Sequence, residues 1–191
     1  GTPLAAAMSA PERLPYPATA VAAANLGISR LPVAILLDQV RSLYNVGAFF
    51  RMADAAGIER LYLTGITGHP PHARLAKTAL GAQETVAWEH HWDAVALVER
   101  LREAGYEVAA VETSLRSVDL YDWCPRFPVC LIFGHEVEGV RAELSALCDT
   151  HVRLPMLGVK HSLNVSVAGG VVVYELLRKY RELVKAAQAT R

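Results

Sequence analysis

Cysteine is scarce in this chain. Its three residues, Cys124, Cys130 and Cys148, are odd in number and lack CxxC spacing, which excludes a disulfide scaffold or a zinc framework. They read as reduced thiols of a cytoplasmic protein. An excess of charge of either sign is also missing. Nineteen Lys and Arg residues balance nineteen Asp and Glu, so the broad electropositive field of many nucleic-acid binders is excluded, and any such binding must use a local basic patch. No apolar run is long enough to span a bilayer. The longest, residues 163–177, is short and carries Asn164, Ser166 and Glu175. The first twenty residues are rich in Ala but have no basic leader region, and prolines interrupt them, which argues against a targeting peptide. Neither GxGxxG nor a Walker A pattern occurs, so dinucleotide and P-loop readings lose their main support.

What is present describes a globular protein. The chain has 191 residues, 52% hydrophobic and 20% charged, enough for one well-cored domain. Residues 1–30 read as an N-terminal extension and 31–191 as the domain. From Leu31 onward apolar runs alternate with helical patterns. Strands are expected at 33–38, 60–65, 85–88, 106–112, 128–134 and 150–155. Helices are expected at 45–57 with Asn45 as N-cap and Gly57 as stop, and at 73–82, 92–105 and 139–148. This alternation predicts an α/β fold with a parallel sheet flanked by helices.

In such a sheet, ligands bind beyond the carboxyl ends of the strands. Three stretches stand there: DQVRSLYNVGAFFR (38–51), FGHEVEGV (133–140) and LPMLGVKHSLNVSVA (154–168). The first contributes Asn45, Gly47, Ala48 and Arg51. The second contributes Phe133, Gly134, Glu136 and Gly139. The third runs from Pro155 to Ala168. Together and in this order they resemble the three motifs of the TrmH (SpoU) branch of the SPOUT RNA methyltransferases. The resemblance covers everything except the first thirty residues and the extreme C-terminus. It implies methyl transfer from S-adenosylmethionine to a ribose 2′-hydroxyl of RNA, a homodimer, and a C-terminal trefoil knot, a rare exception to the rule against knotted chains.

The segment 154–177 carries a conflict. Val165, Val167 and Val171–Val173 favour a strand, whereas Ser162, Asn164, Ser166, Gly169 and Gly170 do not suit a buried one. The resemblance implies a cofactor loop to about His161 and a helix from about Ser162, with Ser162 and Ser166 on one face. Gly169 and Gly170 then serve close packing at the dimer seam.

The resemblance also assigns roles. Arg51, Asn45, Glu136, Ser162 and Asn164 are the candidate catalytic residues. Read alone, Arg51 is a surface arginine paired with Asp54 one turn on. In the motif it is either the base that activates the ribose hydroxyl or a clamp for phosphate and oxyanion, which suits a guanidinium that stays protonated. Asn45 doubles as a helix cap, Glu136 as a dipole partner for the helix that follows it, and Ser162 and Asn164 as caps. Thr113, Gly134, Leu154, Met156 and Leu163 are expected to hold the cofactor, largely through main chain and an apolar slot. Arg41 and Lys160 are expected to touch RNA, in a patch with Arg51, Arg74 and Lys77; Arg178, Lys179, Arg181 and Lys185 either extend it or form the solvated face of a last helix. The spacings of His69, His72, His90, His91, His135 and His161 fit no standard zinc site, so no metal is expected.

The leading expectation is a SAM-dependent RNA 2′-O-methyltransferase acting on tRNA, with ribosomal RNA as the alternative. A non-catalytic RNA-binding assembly factor on the same fold is the reading from another class, and a small-molecule enzyme on a similar sheet is a third.

Overall fold

The structure, a computed structural model, describes residues 26–191. The expected extension over 1–30 therefore lies almost wholly outside the described residues. Among them, seven strands form one sheet: β1 (Leu31–Asp38), β2 (Ile58–Thr64), β3 (Trp88–His91), β4 (Glu107–Val111), β5 (Val118–Asp119), β6 (Val129–Phe133) and β7 (Thr150–Arg153). Their order is β3-β2-β1-β6-β4-β7-β5, and every pairing is parallel. The parallel α/β expectation holds. β1 and β6 sit at the centre because they are apolar on both faces, as a strand covered on two sides must be. Their register ends on Leu37 opposite Phe133, which sets the loop after β1 beside the loop after β6.

Alternation along β1 divides the core. Val33, Ile35 and Leu37 point to one face, where they meet Phe49 and Phe50 of α1 (Leu43–Ala56), Leu75 of α2 (Ala73–Ala79) and Val172, Val173 and Leu176 of α5 (Val165–Ala189). Ala34 and Leu36 point to the other, against Leu97, Val98 and Leu101 of α3 (Ala94–Glu103) and Leu144 of α4 (Ala142–Leu147). Each large side chain so buried contributes about 1.5–3 kcal/mol before entropy is counted.

The conflict in residues 154–177 resolves in favour of a helix that starts later than expected. Residues 154–164 are non-helical and α5 opens at Val165 with Asn164 as its cap. Its valines are helical because Ala168, Gly169, Val172, Val173 and Leu176 form one buried stripe. Burial of that stripe outweighs a propensity deficit of about 0.5 kcal/mol per valine. Gly169 is needed within the chain, since a Cβ there would stand 2.5 Å from the Phe49 ring. Gly170 faces open space, so the two glycines do different work.

Three boundaries depart from expectation. α1 begins at Leu43, and its cap is Ser42, whose hydroxyl accepts from the Asn45 backbone N–H at 3.2 Å. Asn45 is thus inside the helix and its side chain is released from capping. Gly57 ends α1 as expected, left-handed at φ 69°. The strand expected at 85–88 lies at 88–91, because Ala82–Glu84 forms a 3-10 turn closed by Thr85. The helix expected over 139–148 shrinks to Ala142–Leu147, because Gly139 is left-handed and Arg141 extended. The two-residue β5 had no sequence signal.

Candidate active site

Three loops meet at the carboxyl edge of the sheet, following β4, β6 and β7. Between them lies a cleft of about 450 Å³, within the range of small-molecule sites. Phe133, Val111, Val152, Leu154, Met156 and Leu163 give it apolar walls. Thr113, Gly134, Leu154, Met156 and Leu163, expected from sequence to hold the cofactor, all line it. Glu136, Ser162 and Asn164 line it as well.

The loop after β6 is a closed turn. His135 and Gly139 exchange backbone hydrogen bonds at 3.1 and 2.9 Å, and His135 Nδ1 accepts from the N–H groups of Val137 and Glu138, both at 3.1 Å. Gly134 cannot be another residue, since a Cβ would lie 2.3 Å from the Gly139 carbonyl oxygen. This turn presents Glu136 to the start of α1. Its carboxylate accepts from the backbone N–H of Ser42 at 2.9 Å and of Arg41 at 3.3 Å. Glu136 is therefore not a dipole partner for the helix that follows it in sequence, because its contacts are to the loop before α1. Partial burial pushes its pKa up, but the backbone donors and the nearby His135 outweigh this and hold it below the usual value.

Asn164 serves two elements. Its Oδ1 accepts from the backbone N–H groups of Ser166 and Val167 at 3.0 and 3.3 Å, and from the Ser166 hydroxyl at 2.7 Å. Its Nδ2 donates to Asn45 Oδ1 at 3.3 Å. Ser162 lies before the helix, so the expected shared face of Ser162 and Ser166 does not exist; Ser162 faces the cleft from the loop.

Arg51 is exposed on α1 and does not line the cleft. It does not pair with Asp54, whose carboxylate accepts from the Thr85 hydroxyl at 2.9 Å. Among the described residues its guanidinium has no hydrogen-bond partner. Arg41 and Lys160 are exposed at the same edge, and Arg74 and Lys77 are exposed on α2. The C-terminal cations do not extend that patch as free charges. Arg178 is held by Glu175 and Lys185 by Glu182, and Arg181 is partly buried. Lys179 donates to the carbonyls of Leu120, at 2.6 Å, and Trp123. It fastens α5 to the chain after β5.

Sequence reasoning missed Glu112, which also lines the cleft. The signal was its place as the first residue beyond β4. Among the described residues no group of three or more His, Cys, Asp or Glu side chains could hold a metal. Cys130 and Cys148 are buried, and burial pushes both thiols up, that of Cys148 to about 12, so neither is reactive.

Fold and cleft together define an open parallel α/β protein with a small-molecule-sized cleft at the carboxyl edge of its sheet. Residues 32–174 match the model of the SpoU rRNA Methylase family. The chain is 36% identical over 160 residues to the 23S rRNA (guanosine-2′-O-)-methyltransferase RlmB of Ralstonia nicotianae, covering 84% of this chain and 64% of that relative. It thus spans under two-thirds of the length of that curated relative. The TrmH/SpoU tRNA modifying enzyme of A. aeolicus superimposes with a TM-score of 0.73 at 28% identity, over 81% of this chain and 78% of that one. The AdoMet-bound rRNA methyltransferase of Sinorhizobium meliloti does so with 0.72 at 29%, over 76% of this chain and 56% of that one. The chain belongs to the TrmH (SpoU) family.

Proposed function

We propose that this protein transfers a methyl group from S-adenosylmethionine to a ribose 2′-hydroxyl of RNA. The observation that carries this reading is one cleft lined by residues of motifs 2 and 3, with motif 1 tied to it by Asn164–Asn45 and Glu136–Ser42. The cleft suits the cofactor in size and in wall chemistry. When bound, the cofactor supplies an electrophilic methyl carbon on a sulfonium sulfur. Leu154, Met156 and Leu163 would enclose its adenine, and Thr113 and the main chain at Gly134 would position its polar groups. The ribose hydroxyl would be presented to that methyl group, and its proton would pass to solvent water at the exposed loop that carries Ser162 and Asn164. Most of the acceleration is then positioning. Ser162 and Asn164 orient the attacking hydroxyl.

Arg51, which stands outside the cleft of its own chain, serves as a clamp on substrate phosphate, not as the base. Arg51 is exposed, and a guanidinium, with five N–H donors and no acceptor, is suited to hold an anion. Arg41 and Lys160 add phosphate contacts at the same edge. With so few contacts, binding to naked RNA is weak and falls as salt rises. Arg51→Ala is expected to abolish transfer to RNA while calorimetric affinity for S-adenosylmethionine stays near the parent's. Full activity in that variant would refute the assignment.

The substrate proposed is tRNA, in keeping with the likeness to the A. aeolicus tRNA modifying enzyme. The similarity to RlmB supports ribosomal RNA as the second reading. Ribose-methylation mapping of total RNA with and without the protein separates them. A non-catalytic assembly factor is disfavoured by two intact links, Asn164 to Asn45 and Glu136 to the backbone of Ser42.

The working unit proposed is a homodimer of a 31–191 methyltransferase domain whose C-terminal part is knotted. Val167, Val171 and Tyr174 form an exposed stripe on α5, 53%, 38% and 49% accessible, beside the open space at Gly170. Leu157 and Val159 in the cofactor loop are also uncovered. A second copy would bury both. We place the protein in the cytoplasm, where its three free thiols stay reduced; no helix among the described residues is long and apolar enough to cross a membrane.

A further inference from the structure

The stretch around β3 leaves an aromatic feature that methyl transfer does not use. Trp88 and His90 occupy alternate positions on one face of the edge strand, and Trp92, one residue beyond its end, packs against His90. His69, from the loop after β2, lies against them. Its ring stacks on Trp88 with centroids 5.5 Å apart and planes 20° apart, and sits 4.9 Å from His90. His90 meets Trp92 edge-on at 4.8 Å. The row begins with a partly buried indole packed on the core and ends on one that is 76% exposed. Trp88 has a packing role. Core packing does not account for Trp92.

Both imidazoles are held in one orientation. His69 Nδ1 lies 2.8 Å from the Pro70 carbonyl oxygen, and His90 Nε2 lies 2.9 Å from that of Gly65. A carbonyl only accepts, so these nitrogens carry the protons. The opposite nitrogens, His69 Nε2 and His90 Nδ1, are then lone-pair acceptors, and among the described residues neither has a hydrogen-bond partner. The result is a rigid set of ring faces with two acceptors beside it.

Its position decides what it would receive. Trp92 follows the last residue of β3, at the same carboxyl edge as the cleft. Between them the loops after β1 and β2 are joined by Ile66 N–H donating to Gln39 Oε1 at 2.8 Å, and exposed Arg41 lies two residues on. The nearby carboxylates are engaged. Asp93 caps α3 by accepting from Ala96 N–H at 3.0 Å, and Glu89 is held by Arg60 and His91. Flat ring faces with acceptors, reached across exposed cations, match an unpaired nucleobase bearing an exocyclic amino group.

We propose that Trp92, backed by His90 and His69, is a stacking subsite for an unpaired base of the substrate RNA. This rests on the RNA-methyltransferase reading. The test compares the full-length parent with Trp92→Ala and Trp92→Phe in binding to a fluorescein-labelled poly(A) single strand and to a blunt RNA duplex. Calorimetry with S-adenosylmethionine, sedimentation and methyl transfer to total RNA run alongside. Trp92→Ala is expected to weaken single-strand binding by roughly 5- to 150-fold, the range for losing one base–aromatic stack. Duplex binding and cofactor affinity should stay as in the parent, and Trp92→Phe should retain most of the single-strand affinity. Parental single-strand affinity in Trp92→Ala, with methyl transfer intact, overturns the subsite and leaves the enzyme reading standing. A changed sedimentation coefficient in that variant also overturns it, because the stripe would then be a seat for a second copy. A parent that neither binds nor methylates RNA brings down both.

Discussion

The side-chain amide of Asn164 donates to the side-chain oxygen of Asn45 across 3.3 Å, joining positions 119 residues apart. The same Asn164 caps α5 through its oxygen. Cap and link can be separated, because Asn45 has no capping duty: Ser42 performs it. Asn45→Ala is therefore expected to leave thermal stability near the parent value while lowering kcat. Asn164→Ala also removes the cap, worth about 1 kcal/mol, and should lower both kcat and Tm. Circular dichroism melts beside single-turnover methylation give the comparison; an unchanged kcat in Asn45→Ala would show that the link has no part in the chemistry.

Glu136 offers a pH test. Its carboxylate holds the backbone of Arg41 and Ser42 and has a pKa below the ordinary carboxylate value. A depressed carboxyl contributes its ordering above the unfolded-state pKa and loses it as the pH falls through the folded one. Hydrogen-exchange protection of the Arg41 and Ser42 amides should thus be constant near neutrality and drop on acidification below the normal carboxylate range. In Glu136→Gln this acid-induced loss should vanish, with lower protection throughout. The same inflection in the variant would mean another group titrates there.

Much of the fold is legible in the sequence. β1 and β6 announce themselves as apolar runs, and the three stretches beyond β1, β6 and β7 carry polar residues where a core would not. Boundaries were less legible because local chemistry competes there. Asn45 looks like a cap, but Ser42 is one turn earlier and wins. The valines of α5 favour a strand until the stripe from Ala168 to Leu176 finds α1, a tertiary fact that single residues do not encode. Lys179 looked like part of a basic face, and only the fold shows carbonyls of Leu120 and Trp123 beneath it. Arg51 matched its motif by spacing, yet spacing could not say that it stands outside the cleft.

The two glycines of α5 separate packing within the chain from packing between chains. Gly169→Ala forces a Cβ to within 2.5 Å of Phe49, and such overpacking costs about 1–3 kcal/mol. Tm should fall by about 2–4 °C per kcal/mol for a domain of this size. Val171→Glu instead places a charge in the exposed stripe. It should leave the far-ultraviolet spectrum unchanged and convert a dimer to a monomer in sedimentation experiments. A parent that sediments as a monomer would end the dimer proposal.

Thr113 enters the cleft from a loop with its own brace. Arg116 Nη2 lies 2.7 Å from His151 Nε2. The same ring nitrogen lies 3.0 Å from the Ser145 carbonyl oxygen, and His151 Nδ1 lies 2.8 Å from the Ser114 hydroxyl. The same Arg116 nitrogen also reaches the carbonyls of Ser145 and Cys148 at 3.0 and 3.1 Å. One arginine thus ties the loop after β4 to the end of α4 and, through buried His151, to β7. Arg116→Ala should release the loop. Ordering one residue costs about 1–2 kcal/mol, so affinity for S-adenosylmethionine should fall by roughly tenfold, the equivalent of about 1.4 kcal/mol. Methyl transfer at saturating cofactor should be much less affected, since Arg116 is not among the residues that line the cleft. Arg116→Lys keeps the charge but cannot reach three acceptors in the same planar geometry, and should restore little. Parental cofactor affinity in Arg116→Ala, read by calorimetry, would show that the cleft holds its shape without this brace.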